Sequence, residues 1–148
     1  GEGAAVFAVG RATDGEAGSS AAEVLAVATG FGPEGTAGTA LTDCVRRVLQ
    51  RSGVTGADVT LLATGERGTD EGSETAPAGE ALGHRPRRLV PVRHFGDCGA
   101  ATGALALATV LELHRADPAR TGLTLLTART AEGAVGAAIV SGAGQWRP

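Results

Sequence analysis

The stretch His94-Phe-Gly-Asp-Cys-Gly-Ala-Ala-Thr-Gly103, running on through Ala104-Leu-Ala-Leu-Ala-Thr-Val-Leu-Glu-Leu113, decides how the rest of the chain is read. It is a glycine turn feeding a long helix. Asp97 stands where a side-chain oxygen can accept a backbone N–H of the first helical turn. From Cys98 to Leu113 polar residues almost vanish, and a helix apolar on every face is a buried one. The sequence therefore predicts a central helix over about 97–114, packed on all sides. Small residues at Gly99, Ala100, Ala101, Gly103, Ala104, Ala106 and Ala108 would let neighbouring backbones approach it closely.

Working upstream, Leu89 to Val92 reads as a short strand leading into the turn. Val59 to Ala63 is another strand, and the polar loop Thr64 to Ser73 follows at its C-terminal end, where α/β sheets build their sites. Glu74 to Leu82 is a weak helix interrupted by Pro77 and ended by Gly83-His-Arg-Pro86. Leu41, Cys44, Val45, Val48 and Leu49 recur at helical spacing, and Ser52-Gly53 stops that helix. Ala4 to Val9 and Ala22 to Thr29 are apolar runs of the kind that form buried strands, with a polar connection over 11–20. Downstream, Asp117-Pro118 breaks the chain. Leu123 to Ala128 and Ala134 to Val140 are strands joined as a hairpin by Arg129-Thr-Ala-Glu-Gly133. Trp146 is expected to lie as a lid on the core. Strands alternating with helices in this way predict an α/β fold, a mixed sheet with helices on both faces.

A length of 148 residues fits one domain over 1–148 with a real core. A net charge of −3 gives no reason to expect nucleic acid or an anionic membrane as partner. No signal peptide and no apolar run of about 18 residues is present. The two cysteines, Cys44 and Cys98, read as buried thiols of a cytoplasmic protein. The chain lacks Met and is apolar almost from its first residue: either an initiator Met before Gly1 has been removed or, the reading favoured here, the chain is a piece of a longer protein. The spacing of its His, Cys and acidic residues does not suit a metal, and nothing calls for a cofactor.

Candidate site residues cluster around the central turn. Asp97 is a helix cap, or a carboxylate belonging to a site. Cys98 lies in the first turn, where a helix dipole favours the thiolate. With His94 as its base it could be a nucleophile, and otherwise it is a small buried hydrophobe. His84 and His114 fall at helix C-termini, which suit a cation. Glu66, Arg67, Asp70, Glu71 and Glu74 crowd one loop, read as solvated. A paired-carboxylate site there, or a phosphate cradle in Thr64 to Gly68, is the alternative. Arg85, Arg87 and Arg88 form a small basic cluster, either a solvated face or a dock for an acidic carrier protein.

Order and motifs together resemble the C-terminal half of a β-ketoacyl synthase of the thiolase fold. Gly1-Glu-Gly-Ala4 looks like the strand that opens that half. Val59 to Ala63 with its Gly/Thr loop looks like the region of the family's His-Gly-Thr-Gly-Thr motif. Phe95-Gly-Asp-Cys-Gly-Ala-Ala-Thr-Gly103 looks like its Lys-Ser-x-x-Gly-His-x-x-x-Ala-Ala-Gly turn and helix, and Arg129 to Ala137 like its closing hairpin. The resemblance also implies losses. The family's first active-site His would fall near Thr64 or Gly65, its second at Asp97 and its Lys at Val92, while its nucleophilic Cys belongs to the other half.

Condensation needs a thiolate nucleophile and donors that stabilise an enolate, and a carboxylate would repel that enolate. The resemblance therefore implies a degenerate ketosynthase half, similar to chain length factor subunits, non-condensing and working with a partner in polyketide or fatty-acid assembly. An active β-ketoacyl synthase, paired with a half that carries the Cys, is the first alternative. A module that binds acyl carrier protein is the second.

Overall fold

The computed structural model describes residues 3–10, 22–33, 35–67, 70–117 and 122–142. Its elements in order are β1 (Ala22–Phe31), α1 (Ala37–Ser52), β2 (Val59–Ala63), α2 (Thr75–Leu82), β3 (Arg87–Leu89), the four-residue α3 (Val92–Phe95), α4 (Thr102–Ala116), β4 (Leu123–Arg129) and β5 (Ala134–Gly142), with 3-10 turns at Gly56–Asp58 and Gly99–Ala101. The strands form one five-stranded sheet in the order β1-β5-β4-β2-β3. β5 runs antiparallel to both neighbours, and β2 is parallel to β3 and β4. The expected mixed α/β sheet is present, and its last two strands are the expected hairpin.

Side-chain alternation along the strands sorts the two faces. Leu62, Leu125 and Ile139 join Leu41, Cys44, Val45, Val48 and Leu82 in the larger core, under α1 and α2. Their neighbours Ala63 and Val140 join Val110, with Leu107 and Leu126 beside them, on the opposite face under α4. Helices therefore cover both faces. α1 ends at Gly53, whose φ of +69° is left-handed backbone that glycine adopts without strain. From α1, Arg51 Nη1 and Arg47 Nη2 donate to the carbonyls of Val27 at 2.9 Å and Thr29 at 3.1 Å. Along β1, the edge strand, those carbonyls are thus covered from above.

Several expectations need correction. Residues 4–9 form no strand: Val6 and Val9 are 95% and 91% exposed, and the first strand is β1. The strand expected over 89–92 is only Arg87–Leu89, because Pro91 starts the short helix that follows. Pro77 does not interrupt α2. It lies in the first turn, where backbone N–H groups have no intrahelical acceptor and a missing one costs nothing. The long helix is not buried on all sides either. Within α4 only Ala106, Val110 and His114 are buried, since one sheet can cover only one face of a helix. The loop 11–20, the residues Gly1, Glu2, Gly68 and Pro118, and Trp146 lie outside the described residues. No helix among the described residues is long and apolar enough to cross a membrane.

Candidate functional site

Two loops meet at the C-terminal ends of β2 and β3. The first leaves β2 at Thr64. The second is the turn after α3, where Gly96, at φ +75°, lets the backbone reverse toward the 3-10 turn. An ion pair joins them: Arg67 Nη1 lies 2.9 Å from Asp97 Oδ2. Asp97 does not cap α4 directly. Its Oδ1 accepts the N–H of Gly99 at 2.9 Å and the hydroxyl of Thr102 at 3.4 Å, so it caps the 3-10 turn that precedes the helix. The Gly99 amide, followed by the charge of Arg67 and the Thr102 hydroxyl, holds the Asp97 carboxyl below the usual aspartate value.

Cys98 and His94 flank this pair without forming a couple. The Cys98 thiol is half-buried and turns back on its own loop, toward the carbonyls of Gly96 at 3.7 Å and Phe95 at 3.9 Å. His94 is exposed on α3, and its ring makes no hydrogen bond among the described residues. Gly3 lies against the same turn, where an added Cβ would meet Leu105 at 2.8 Å and the Cys98 sulfur at 3.6 Å.

The loop read as solvated hides two buried carboxyls. Glu66 is 3% exposed and Glu74 2% exposed. Glu66 folds back onto the start of α2, where its Oε1 accepts the N–H groups of Glu74 at 2.7 Å and Thr75 at 2.6 Å, and its Oε2 the Thr75 hydroxyl at 2.7 Å. It caps the helix from eight residues upstream of Glu74, a distance at which no local spacing rule announces a cap. Glu74 Oε2 lies 2.6 Å from Thr127 Oγ1 and accepts the N–H of Gly65 at 3.1 Å. Its Oε1 is 3.3 Å from where a Cβ on Gly65 would sit, with the Thr102 methyl 3.9 Å from the same point. Burial pushes the Glu74 carboxyl up, partly offset by the Thr127 and Gly65 bonds and reinforced by Glu66 and Asp70.

The other sequence candidates are accounted for by ordinary contacts. The amides of Gly65 and Arg67 are held by the carboxylates of Glu74 and Asp70, so the loop is no phosphate cradle. Arg88 does not face solvent alone: it binds Glu71 at 2.8 Å and Glu66 at 3.5 Å, and Arg93 shares Glu71 at 3.0 Å. His84 Nε2 is 2.8 Å from the carbonyl of Gly56. His114 is a core residue, 2% exposed and 3.1 Å from Thr124 Oγ1, rather than a surface cation. Cys44 is fully buried as expected. No three His, Cys, Asp or Glu among the described residues are placed to hold a metal ion. A groove of ≈540 Å3 runs along α2 past Glu71, Glu80, His84, Arg85 and Arg88, separate from the Asp97 turn.

No family model matches the chain, and no curated protein matches it in sequence. Solved structures do match. The ishigamide ketosynthase/chain length factor is 30% identical with a TM-score of 0.64, over 83% of this chain and 35% of that one. An oxazolomycin ketosynthase domain from Streptomyces albus gives a TM-score of 0.72 at 19% identity, over 86% and 30%. A ketosynthase bound to its type II polyketide acyl-carrier protein gives 0.66 at 12% identity, over 82% and 34%. The chain spans about a third of the length of each. With its mixed sheet and two helical layers, it is a ketosynthase-like half with the thiolase-like fold of ketosynthases and chain length factors.

Proposed function

We propose that this chain is the C-terminal half of a non-condensing, chain-length-factor-type subunit, acting with a partner polypeptide in polyketide or fatty-acid chain assembly in the cytoplasm. The Arg67–Asp97 ion pair carries the reading. It stands between the two loops to which the resemblance assigns imidazoles. A condensing site must stabilise an enolate and its oxygen with donors, and here one position is a carboxylate held ionised while the other is Thr64-Gly65. Neither offers a proton-handling imidazole, and the exposed His94 makes no bond to Asp97 or Cys98.

The partner has a surface to meet. Val24, Val27 and Phe31 on β1 are 52%, 53% and 67% exposed, and the apolar residues Leu105, Leu107 and Leu111 on α4 are only half-buried. Apolar surface of this kind marks a partner face. Acyl-carrier protein is the cargo this reading supplies, by analogy with the bound ketosynthase above. The chain's own basic cluster is a weak dock for it, because Arg88 is already engaged with Glu71 and Glu66.

Reconstitution with a ketosynthase subunit that carries the nucleophilic Cys tests the reading. Expected are a stable complex on size-exclusion chromatography and condensation that survives Asp97→Ala. A complex whose turnover collapses with Asp97→Ala would instead make this half a working part of the catalytic site. A chain that stays monomeric beside every such subunit would overturn the partnership.

A further inference from the structure

We propose that the outer edge of β1 docks an extended acidic segment of another protein, one with Asp or Glu at every second residue, and that Arg47 and Arg51 hold it. The proposal concerns this edge alone and stands apart from the partnership proposed above.

β1 ends the sheet, with β5 on its inner side. In an antiparallel strand, alternate residues turn both backbone groups toward the neighbour or away from it. Gly32 donates inward, to the carbonyl of Gly133. Thr29 and Val27, three and five residues earlier in the same register, therefore turn N–H and C=O outward. Their carbonyls are covered by Arg47 Nη2 at 3.1 Å and Arg51 Nη1 at 2.9 Å. Their N–H groups stay open on two exposed residues. Such an edge has its acceptors occupied and its donors available. It refuses an ordinary strand, which must donate as well as accept, and suits a ligand that brings acceptors.

The charge on the edge points the same way. Arg46, Arg67, Arg88, Arg93 and Arg115 are all paired with carboxylates. Arg47 and Arg51 are paired with none among the described residues. Asp43, one turn before Arg47, directs its carboxylate to Arg46 at 3.5 Å. Arg47 also donates from Nε to the Asp43 carbonyl at 3.3 Å and from Nη2 to the Cys44 sulfur at 3.0 Å. Each guanidinium has five N–H donors, so Arg47 keeps its Nη1 pair and Arg51 keeps more. Two positive charges thus lie uncompensated on one edge of a chain whose net charge is −3.

Spacing selects the ligand. Arg47 and Arg51 are four residues apart on α1, about 6 Å along the helix. Val27 and Thr29 are two residues apart on β1, about 6.8 Å along the strand. The guanidiniums and the open N–H groups therefore run as two rows nearly in step. Carboxylates on every second residue of an extended segment repeat at the same strand spacing, and guanidinium–carboxylate bonds are among the stronger ones. A single small anion meets only one guanidinium. A single-stranded nucleic acid needs aromatic side chains on which its bases stack, and Phe31, the aromatic residue of β1, lies on the face away from α1.

The test is a titration of the full chain, at low salt, with a short fluorescein-labelled peptide of alternating Thr and Glu, followed by fluorescence anisotropy. The double variant Arg47→Gln, Arg51→Gln should weaken binding about tenfold, and added salt should weaken it too. A peptide of the same composition with its Glu residues gathered at one end should bind less well. In the wild-type chain the alternating peptide should shift the amide signals of Val27 and Thr29, a readout that decides the matter if the double variant does not fold. Binding unchanged in a folded double variant, unmoved Val27 and Thr29 amides, or equal binding of the gathered peptide or of an oligothymidylate would each overturn the proposal.

Discussion

Arg67 and Asp97, thirty residues apart in sequence, are joined by a 2.9 Å ion pair that fastens the loop after β2 to the turn before α4. Both side chains are about half exposed, at 50% and 43%, so salt screens the pair and its value lies in register more than in stability. Its acid response has a definite sign. The Asp97 carboxyl is held below its usual 3.8, and a carboxyl depressed in the folded state contributes stability that is present above the unfolded value and lost as pH falls through the folded one. Acid titration followed by circular dichroism should show the wild-type chain losing stability below pH 3.8. Asp97→Asn should lack that component. A variant that tracks the wild type through this window would remove Asp97 from the account.

Glu66 gives a prediction of larger size. It satisfies two backbone donors and one hydroxyl at the start of α2 from a site 3% exposed. Glu66→Ala strands them in the interior. Loss of an N-cap costs about 1 kcal/mol, and leaving buried donors unpaired adds about 1–3 kcal/mol more. Urea denaturation should therefore show a loss of about 2–4 kcal/mol. Glu66→Gln keeps an acceptor oxygen and should lose less. Equal losses for both would mean that packing, not the cap, sets the cost.

The larger features of the fold were legible in the sequence because each has a local cause. Leu41, Cys44, Val45 and Val48 face one way at helical spacing, and Val59 to Ala63, Leu123 to Ala128 and Ala134 to Val140 are apolar runs bounded by turns. What stayed hidden depends on contacts distant in sequence. Glu66 reads as solvated because nothing local says that its loop folds back onto α2, and Glu74 is buried by Thr127 from another strand. The run Ala4 to Val9 is as apolar as a strand, yet strand formation needs an edge to pair with, and none of the described residues pairs with it. The even apolarity of 98–113 reports what the helix can pack against, not how many neighbours this chain brings to it.

Gly32 marks a place where two elements touch backbone to backbone. Its N–H donates to the carbonyl of Gly133 at 2.9 Å, and an added Cβ would sit 2.7 Å from the Thr36 carbonyl and 2.8 Å from the Ala37 backbone. Those atoms begin α1 and cannot shift without moving the helix. Gly32→Ala should cost about 1–3 kcal/mol, the usual penalty for overpacking, read as a lowered urea midpoint with an unchanged slope. Gly35→Ala serves as the contrast: nothing lies within 4 Å of its Cβ, and only the strain of φ +84° applies.

Val27 and Phe31 separate folding from assembly. Ala28 and Gly30 point toward α1, since Ala28 belongs to the larger core and a Cβ on Gly30 would lie 3.0 Å from the Cys44 sulfur. Alternation puts Val27 and Phe31 on the opposite face, the one α4 covers only in part. Their carbonyl edge does not offer a simple strand to pair with, because Arg51 and Arg47 hold the carbonyls of Val27 and Thr29. A partner must therefore meet the face of the sheet. Val27→Ser and Phe31→Ser remove apolar surface that is already more than half exposed, so each should change the stability of the isolated chain by no more than about 0.5 kcal/mol. In a complex the same side chains would be covered, and burying a Val or Phe contributes about 1.5–3 kcal/mol, so the double variant should weaken association by at least about tenfold in a titration against the partner subunit. Leu41→Ala, in the core beneath α1, should do the reverse, costing about 2–5 kcal/mol of folding stability while leaving the partner face intact. If Val27 and Phe31 instead govern folding and leave association unchanged, the exposed face of β1 is not where the second half docks.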